Sequence, residues 1–306
     1  MEHGLVEWGV FLGVVAAMLA LDLGVFHRKD HVIGPREALG WSAVWIALAL
    51  AFGGLVWARN GAAPALEYLT GYVIEKSLSV DNIFVFVVIF SGLGIPPLYQ
   101  HRVLYWGIVS ALVLRGAMIA GGAALLHRFA WLGYVFGAFL VLTGLRLLRA
   151  KAEAHVEESA VLRLLRRVLP VSRALDGHRF LTVEDGRRVA TPLLFALVTV
   201  ELMDVVFAVD SIPAVFAVTR DPFVVFTSNI FAILGLRSLY FLLASAVRRF
   251  TYLKPSLALV LVFVGAKMGL VDVVRIHPAV SLGVVAGILA AGAAASAVAA
   301  RRRPPP

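Results

Sequence analysis

Residues 75–83 read Glu75-Lys76-Ser77-Leu78-Ser79-Val80-Asp81-Asn82-Ile83, and residues 204–212 read Asp204-Val205-Val206-Phe207-Ala208-Val209-Asp210-Ser211-Ile212. Each stretch puts an acid six residues before a Val-Asp-(Asn/Ser)-Ile unit, and each lies inside an apolar run. The next runs match too: Ile108 to Gly116 carries Arg115 where Ile230 to Ser238 carries Arg237. The runs after those carry Gly144-Leu145-Arg146 and Gly265-Ala266-Lys267. Three consecutive apolar segments are therefore expected to repeat as the following three. Three is odd, so the second copy would cross a membrane in the opposite sense. Inverted repeats of this kind mark transporters that bind substrate near the midplane.

Composition supports a membrane setting. Of 306 residues, 60% are apolar and 15% charged, against about 25% charged in a soluble domain. Mean hydropathy is +0.89. A soluble core of this length would still need a charged exterior, so a soluble enzyme is excluded. The expected fold class is an all-α polytopic membrane protein. There is no cysteine, which excludes a disulfide frame, a thiolate metal site and a cysteine nucleophile.

Nine apolar runs are long enough to cross a ~30 Å hydrocarbon layer, at about 6–26, 38–58, 66–92, 102–126, 129–149, 191–217, 222–247, 256–274 and 277–299. The repeat occupies spans 3–5 and 6–8. Of 28 Lys and Arg, 20 fall in one set of alternating loops and tails, four in the other and four within spans. By the positive-inside rule this puts the N-terminus outside and the C-terminus in the cytoplasm of a multi-pass cell-membrane protein. The net charge of +9 is accounted for by these loops, so the partners are the bilayer and the transported ion, not nucleic acid. Three regions follow: 1–149 with spans 1–5, a basic cytoplasmic loop at 150–190, and 191–306 with spans 6–9 and the basic tail. In the loop, Val161, Leu164, Leu165 and Val168 alternate with arginines as in an amphipathic surface helix. Residues 180–190 predict a small hairpin turning at Asp185-Gly186.

Ionisable groups at membrane depth cost roughly 2.5–3.5 kcal/mol each, so Glu75, Lys76, Asp81, Arg115, Glu201, Asp204, Asp210, Arg237 and Lys267 need partners, water or an ion. Asp22 lies near a span end. Glu75, Ser79 and Asn82 fall on one helical face, as do Asp204, Ala208 and Ser211; Asp81 and Asp210 sit about 120° away from those stripes. Pro213 removes the donor to the carbonyl of Val209, which predicts local unwinding beside Asp210. Asp81 and Asp210, at equivalent positions of inverted copies, are the expected direct ligands of one cation, with Asn82, Ser211 and the Val209 carbonyl completing an oxygen shell. Glu75 and Asp204 are expected to serve a second shell or the proton path. Arg115 and Arg237 are expected as charge partners of the acids. All eight histidines fall in loops or at span ends, so the core donors are oxygens, which suit Mg²⁺, Ca²⁺ or Mn²⁺ over zinc or copper. No Gly-x-x-x-x-Gly-Lys-Ser/Thr loop is present, so ATP does not drive this chain directly.

The stretches Glu75 to Phe86, Glu201 to Val215, Asp221 to Tyr240, Leu21 to Arg28 and Ala190-Thr191-Pro192 resemble the TerC/Alx integral membrane family over about residues 15–275. The family is named for tellurium resistance and grouped with LysE-type exporters. The resemblance implies Mn²⁺ efflux, and implies that Asp22, Glu75, Asp81, Asn82, Glu201, Asp204, Asp210 and Ser211 matter for transport. The expected function is a secondary exporter of a hard divalent cation, most of all Mn²⁺, by proton exchange. The metal is cargo, no resident cofactor is expected, and the chain is no enzyme. Two readings compete: a membrane scaffold or assembly factor whose core charges are structural, and an exporter of an organic or oxyanion substrate bound by Arg115 and Arg237.

Overall fold

The computed structural model describes residues 5–26, 34–129, 131–149, 170–172, 175–184, 186–244, 252–270, 272–274 and 276–302. Among them are ten helices: α1 (Leu5–Phe26), α2 (Pro35–Asn60), α3 (Ala62–Gly92), α4 (Pro97–Arg128), α5 (Leu132–Arg149), α6 (Pro192–Phe216), α7 (Pro222–Leu234), α8 (Leu236–Ala244), α9 (Leu253–Gly269) and α10 (Pro278–Arg302). One hairpin, β1 (Leu181–Glu184) with β2 (Arg187–Ala190), precedes α6. Proline opens α2, α4, α6 and α7 at the first turn, where its missing N–H has no helical partner to lose. Asp221 caps α7 by accepting from the Phe223 amide at 2.9 Å.

Each expected apolar run overlaps a helix. Five helices (α2, α4, α5, α6 and α10) are long and apolar enough to cross a bilayer, and six if the bent pair α7–α8 counts as one. α1 and α9 hold shorter apolar stretches, Glu7–Ala20 and Pro255–Gly269. α3 is long, but any 18 consecutive residues of it include at least three of Glu67, Glu75, Lys76 and Asp81. The exterior is apolar, with Val113 69% and Leu142 57% exposed, while Thr70, Glu75, Ser79 and Asn229 are fully buried. This distribution fits a chain whose solvent is lipid.

Two expectations are corrected. The 222–247 run is not one continuous helix: it bends by 40° at Gly235, between α7 and α8. The unwinding expected at Pro213 does not occur, and α6 continues to Phe216 with the proline inside it. Pro213 lies in the last turn of α6, where few hydrogen bonds remain for it to break. The hairpin forms as expected. Glu184 pairs with Arg187 across the turn, and Gly186 takes φ 74°, a left-handed value that glycine adopts without strain. The Thr191 amide and hydroxyl donate to the carbonyls of Phe180 and Arg179 respectively, at 2.9 and 2.7 Å, tying the hairpin to the start of α6. The expected amphipathic helix at 161–168 lies outside the described residues.

The helices mesh in matched pairs: α3 packs on α7 as α4 packs on α6, and α3 packs on α9 as α5 packs on α6. α5 and α9 cross so closely that a Cβ on Gly137 would stand 2.8 Å from the Gly265 carbonyl oxygen. A Cβ on Gly265 would stand 2.6 Å from the Gly137 oxygen, and one on Gly144 would stand 2.7 Å from the Ala258 oxygen. Only small residues permit such an approach.

Candidate functional site

Where α3, α4, α6 and α7 meet, Arg115 is 1% exposed. It reaches the centre from the unbroken middle of α4. Its Nε donates to Asp204 Oδ2 at 2.9 Å and its Nη2 to Asp204 Oδ1 at 2.7 Å, a bidentate fork. Its Nη1 donates to Glu75 Oε1 and, at 3.0 Å, to Asn229 Oδ1. Glu75 is fully buried and the Asp204 side chain is 7% exposed. One guanidinium thus joins a carboxylate from α3, a carboxylate from α6 and an amide from α7. Among the described residues, Glu75 Oε2 and Asn229 Nδ2 are buried without a hydrogen-bond partner.

Glu201, one turn before Asp204 on the same face of α6, lies beside Ser110 of α4. It borders a cavity of about 20 Å³ together with Phe86, Leu104, Gly107, Asp204 and Arg237, room for about one water. Arg237, buried on α8, borders the same cavity. Lys76 takes a different partner: its Nζ donates to the Ala232 carbonyl at 3.2 Å. That carbonyl belongs to the last turn of α7 before the bend at Gly235, where helical partners run out.

The polar stripes expected on α3 and α6 face inward: Glu75, Ser79, Asn82, Asp204, Ala208 and Ser211 are all buried. Asp210 is half-buried and lies beside Thr143 of α5, away from the Arg115 cluster. The side chains of Asp81 and Asp22 lie outside the described residues, and with them the expected Asp81–Asp210 pair. Among the described residues no three of His, Asp and Glu converge on one point; Arg115 stands between Glu75 and Asp204. Sequence reasoning missed Ser110 and Thr143, whose hydroxyls resemble many others in apolar helices. It also missed the bend at Gly235, although a glycine inside the run Ile233-Leu234-Gly235-Leu236 was a legible signal.

Comparison with known proteins agrees with this architecture. The profile described as the integral membrane protein TerC family matches residues 60–304. An uncharacterized membrane protein of Myxococcus xanthus is 63% identical over 285 residues, covering 93% of this chain and 89% of the relative. A protein of Escherichia coli (strain K12) named as a candidate membrane-bound redox modulator, Alx, is 49% identical over 296 residues, covering 92% and 91%. A membrane protein of Rickettsia felis is 42% identical over 287 residues, covering 94% and 95%. No solved structure matches the chain. The chain belongs to the TerC family of integral membrane proteins.

Proposed function

We propose that this TerC-family chain is a secondary transporter rather than an enzyme, exporting a hard divalent cation, Mn²⁺ foremost, in exchange for protons. It works in the cell membrane with its N-terminus outside and its C-terminus in the cytoplasm, as the 20-to-4 loop charge bias supports. The observation that carries the reading is the buried clamp of Arg115 on Glu75 and Asp204. Sealing ions inside a protein costs several kcal/mol each unless they are paired well, and a structural pair needs only one acid per base. Here Glu201 adds a further carboxylate at the same cavity as Asp204, a surplus of negative charge that suits a divalent cation.

The internal repeat supports the same reading. An offset of 129 residues relates Glu75 to Asp204, Asp81 to Asp210 and Asn82 to Ser211; one of 122 relates Arg115 to Arg237. An offset of 121 turns the Gly137–Gly265 approach into the Ala258–Gly144 approach. These matches fit an inverted repeat with a pseudo-two-fold axis near the α5–α9 crossing. On such an axis Glu75 and Asp204 are mates, as are Arg115 and Arg237; Arg115 holds both carboxylates, and Arg237 borders the cavity of Asp204 and Glu201. Transport by inverted repeats exchanges the conformations of the two copies. In the opposite-facing state Arg237 therefore takes the carboxylate pair and Arg115 lines the equivalent cavity. As one guanidinium leaves, Asp204, Glu75 and Glu201 offer their oxygens to the cation. Asp81, Asn82, Asp210, Ser211 and Asp22 mark its path, and protons return on the emptied carboxylates.

The relatives named for redox modulation are compatible with this reading through the cargo, because this chain has no cysteine of its own and manganese is a redox-active metal. The test is Mn²⁺ flux into proteoliposomes holding the full chain and a trapped metal-sensitive dye, against Mg²⁺, Ca²⁺ and Zn²⁺, with and without a pH gradient. Mn²⁺ flux that the gradient accelerates and Glu201→Gln abolishes is expected. Absence of flux for all four metals would leave the scaffold reading standing. Oxyanion flux lost in Arg237→Gln would support the anion reading instead.

A further inference from the structure

A groove of about 490 Å³ lies outside the clamp, between α1, α2 and Phe223 and Phe231 of α7. Its two long walls are helical stripes. α1 contributes residues 7, 10, 11, 14 and 18, and α2 contributes 48, 51, 52, 55, 56 and 59. Both sets follow the i, i+3, i+4, i+7 spacing by which paired helices normally pack together. Here they face one another without closing. Val10, Val14, Leu48 and Leu55 stay 63, 46, 40 and 48% exposed. α1 is held by aromatic contacts, Trp8 on Phe223 at 5.1 Å, Phe11 on Phe231 at 6.0 Å and Phe11 on Phe52 of α2 at 5.6 Å between ring centroids.

The slot has a length and a polarity. Eleven residues along each wall make about 16 Å, close to half of a ~30 Å hydrocarbon layer. Its volume falls within the range of about 300–1,000 Å³ typical of small-molecule sites. All of its charge is at one end, where Glu7 starts α1 and Arg59 and Asn60 end α2; the rest of the lining is apolar. We propose that this groove is a binding site for one zwitterionic aminophospholipid of the adjoining leaflet, an acyl chain filling the slot and the headgroup resting at its charged end. Arg59 supplies donors for the phosphate. Glu7 matches the ammonium of an ethanolamine headgroup and opposes the uncompensated negative charge of a glycerol headgroup. The lipid covers the exposed parts of both walls, Val10 and Val14 on α1 and Leu48 and Leu55 on α2, beyond the Phe11–Phe52 contact that joins the two helices.

The test is native mass spectrometry of the full chain released from bilayer discs containing phosphatidylethanolamine and phosphatidylglycerol in equal amounts. The wild-type chain is expected to retain one phosphatidylethanolamine. Ala51→Trp, which fills the slot from α2, is expected to retain about tenfold less, the loss of roughly 1.4 kcal/mol of binding. Glu7→Gln, at the groove's polar end, is expected to keep a lipid but lose the preference between headgroups. This second variant reads out the site even if the tryptophan variant folds poorly. Equal retention by the wild-type chain and a well-folded Ala51→Trp would overturn the site. Equal retention of both lipids by the wild-type chain would overturn the headgroup assignment. A dimer that Ala51→Trp dissociates would show that a second copy of the chain occupies the groove.

Discussion

α4 runs unbroken past Arg115, whereas the segment that answers it breaks at Gly235, two residues before Arg237. At the offset of 122 the α4 residue in place of Gly235 is Val113, which faces outward, 69% exposed. The difference originates on the neighbouring helices. α3 carries Lys76, whose ammonium takes the Ala232 carbonyl at the bend; at the same register α6 carries Val205, which asks for no acceptor. A buried ammonium needs oxygen partners, and the carboxyl end of a short helix supplies both free carbonyls and the negative end of its dipole. Break and lysine are thus one feature. It leaves α4 rigid around Arg115 and the α7–α8 segment jointed beside Arg237.

The largest test of this asymmetry is at the two arginines. Arg115→Gln strands two buried carboxylates and should cost about 3–5 kcal/mol of stability, read as a lower melting temperature in detergent. Arg237→Gln, which leaves the clamp of Arg115 on Glu75 and Asp204 intact, should cost less; equal losses would break the comparison. The same variants should bias the facing state in opposite directions. Because the chain has no cysteine, Leu104→Cys on the cavity wall and Phe226→Cys at its equivalent can report access by thiol labelling. Relative to the unsubstituted background, Arg115→Gln should raise labelling at one position and Arg237→Gln at the other. A shift in the same direction in both would refute the exchange of arginines.

Much of this was legible in the sequence, for identifiable reasons. Apolar runs announce helices, and a 3.6-residue period groups Glu75, Ser79 and Asn82 on one face and Asp204 and Ser211 on another; the structure buries both faces. That Arg115 pairs with acids also followed from the cost of an isolated guanidinium at depth. Which acids it takes did not. Arg115 takes Glu75 and Asp204, the two acids expected to serve a second shell or the proton path; partner choice depends on how α3, α4 and α6 cross, and one helix's periodicity carries no information about its neighbour's depth. Pro213 and Gly235 show the same gap. The proline was expected to open α6 and sits in its last turn, while the glycine at mid-run opens the α7–α8 joint because Lys76 is opposite it. A breaker's effect is decided by what stands across from it.

The α5–α9 crossing tests the proposed repeat, which requires the two helices to be equivalent where they touch. Gly144→Ala would set a methyl 2.7 Å from the Ala258 carbonyl oxygen, and Gly265→Ala would set one 2.6 Å from that of Gly137. Backbone cannot yield as a side chain can, so each should cost about 1–3 kcal/mol, and the two should cost the same within error. A loss at only one position would show that the crossing lies off the pseudo-two-fold axis. Smaller still is the effect at the joint. A methyl on Gly235 would meet Lys76 Nζ at 2.7 Å, but that is the end of a flexible chain. Gly235→Ala should therefore cost about 1 kcal/mol, at the low end of overpacking, and Lys76→Met should offset part of it. Simple additivity of the two would separate the break from the lysine.

The smallest expected effect on stability decides the most about cargo. Asp204 is forked by Arg115, so Asp204→Asn disturbs fold and transport together and cannot tell one from the other. Asp210 occupies the other acidic position of the motif and lies half-buried beside Thr143. An asparagine there keeps an oxygen to accept from the Thr143 hydroxyl, so Asp210→Asn should change stability by about 0.5 kcal/mol or less. Its formal charge, though, is gone, and a hard divalent ion discriminates strongly between a carboxylate and an amide. If the cation passes along α6 from Glu201 towards the equivalents Asp81 and Asp210, Mn²⁺ flux should collapse in this variant while its melting temperature holds. Wild-type flux would confine the metal to the Glu201 cavity and leave Asp210 a partner of α5. Glu201→Gln is then the decisive substitution, because that carboxylate shares its cavity with Asp204 and Arg237 but takes no part in the fork that holds α3, α4 and α6 together.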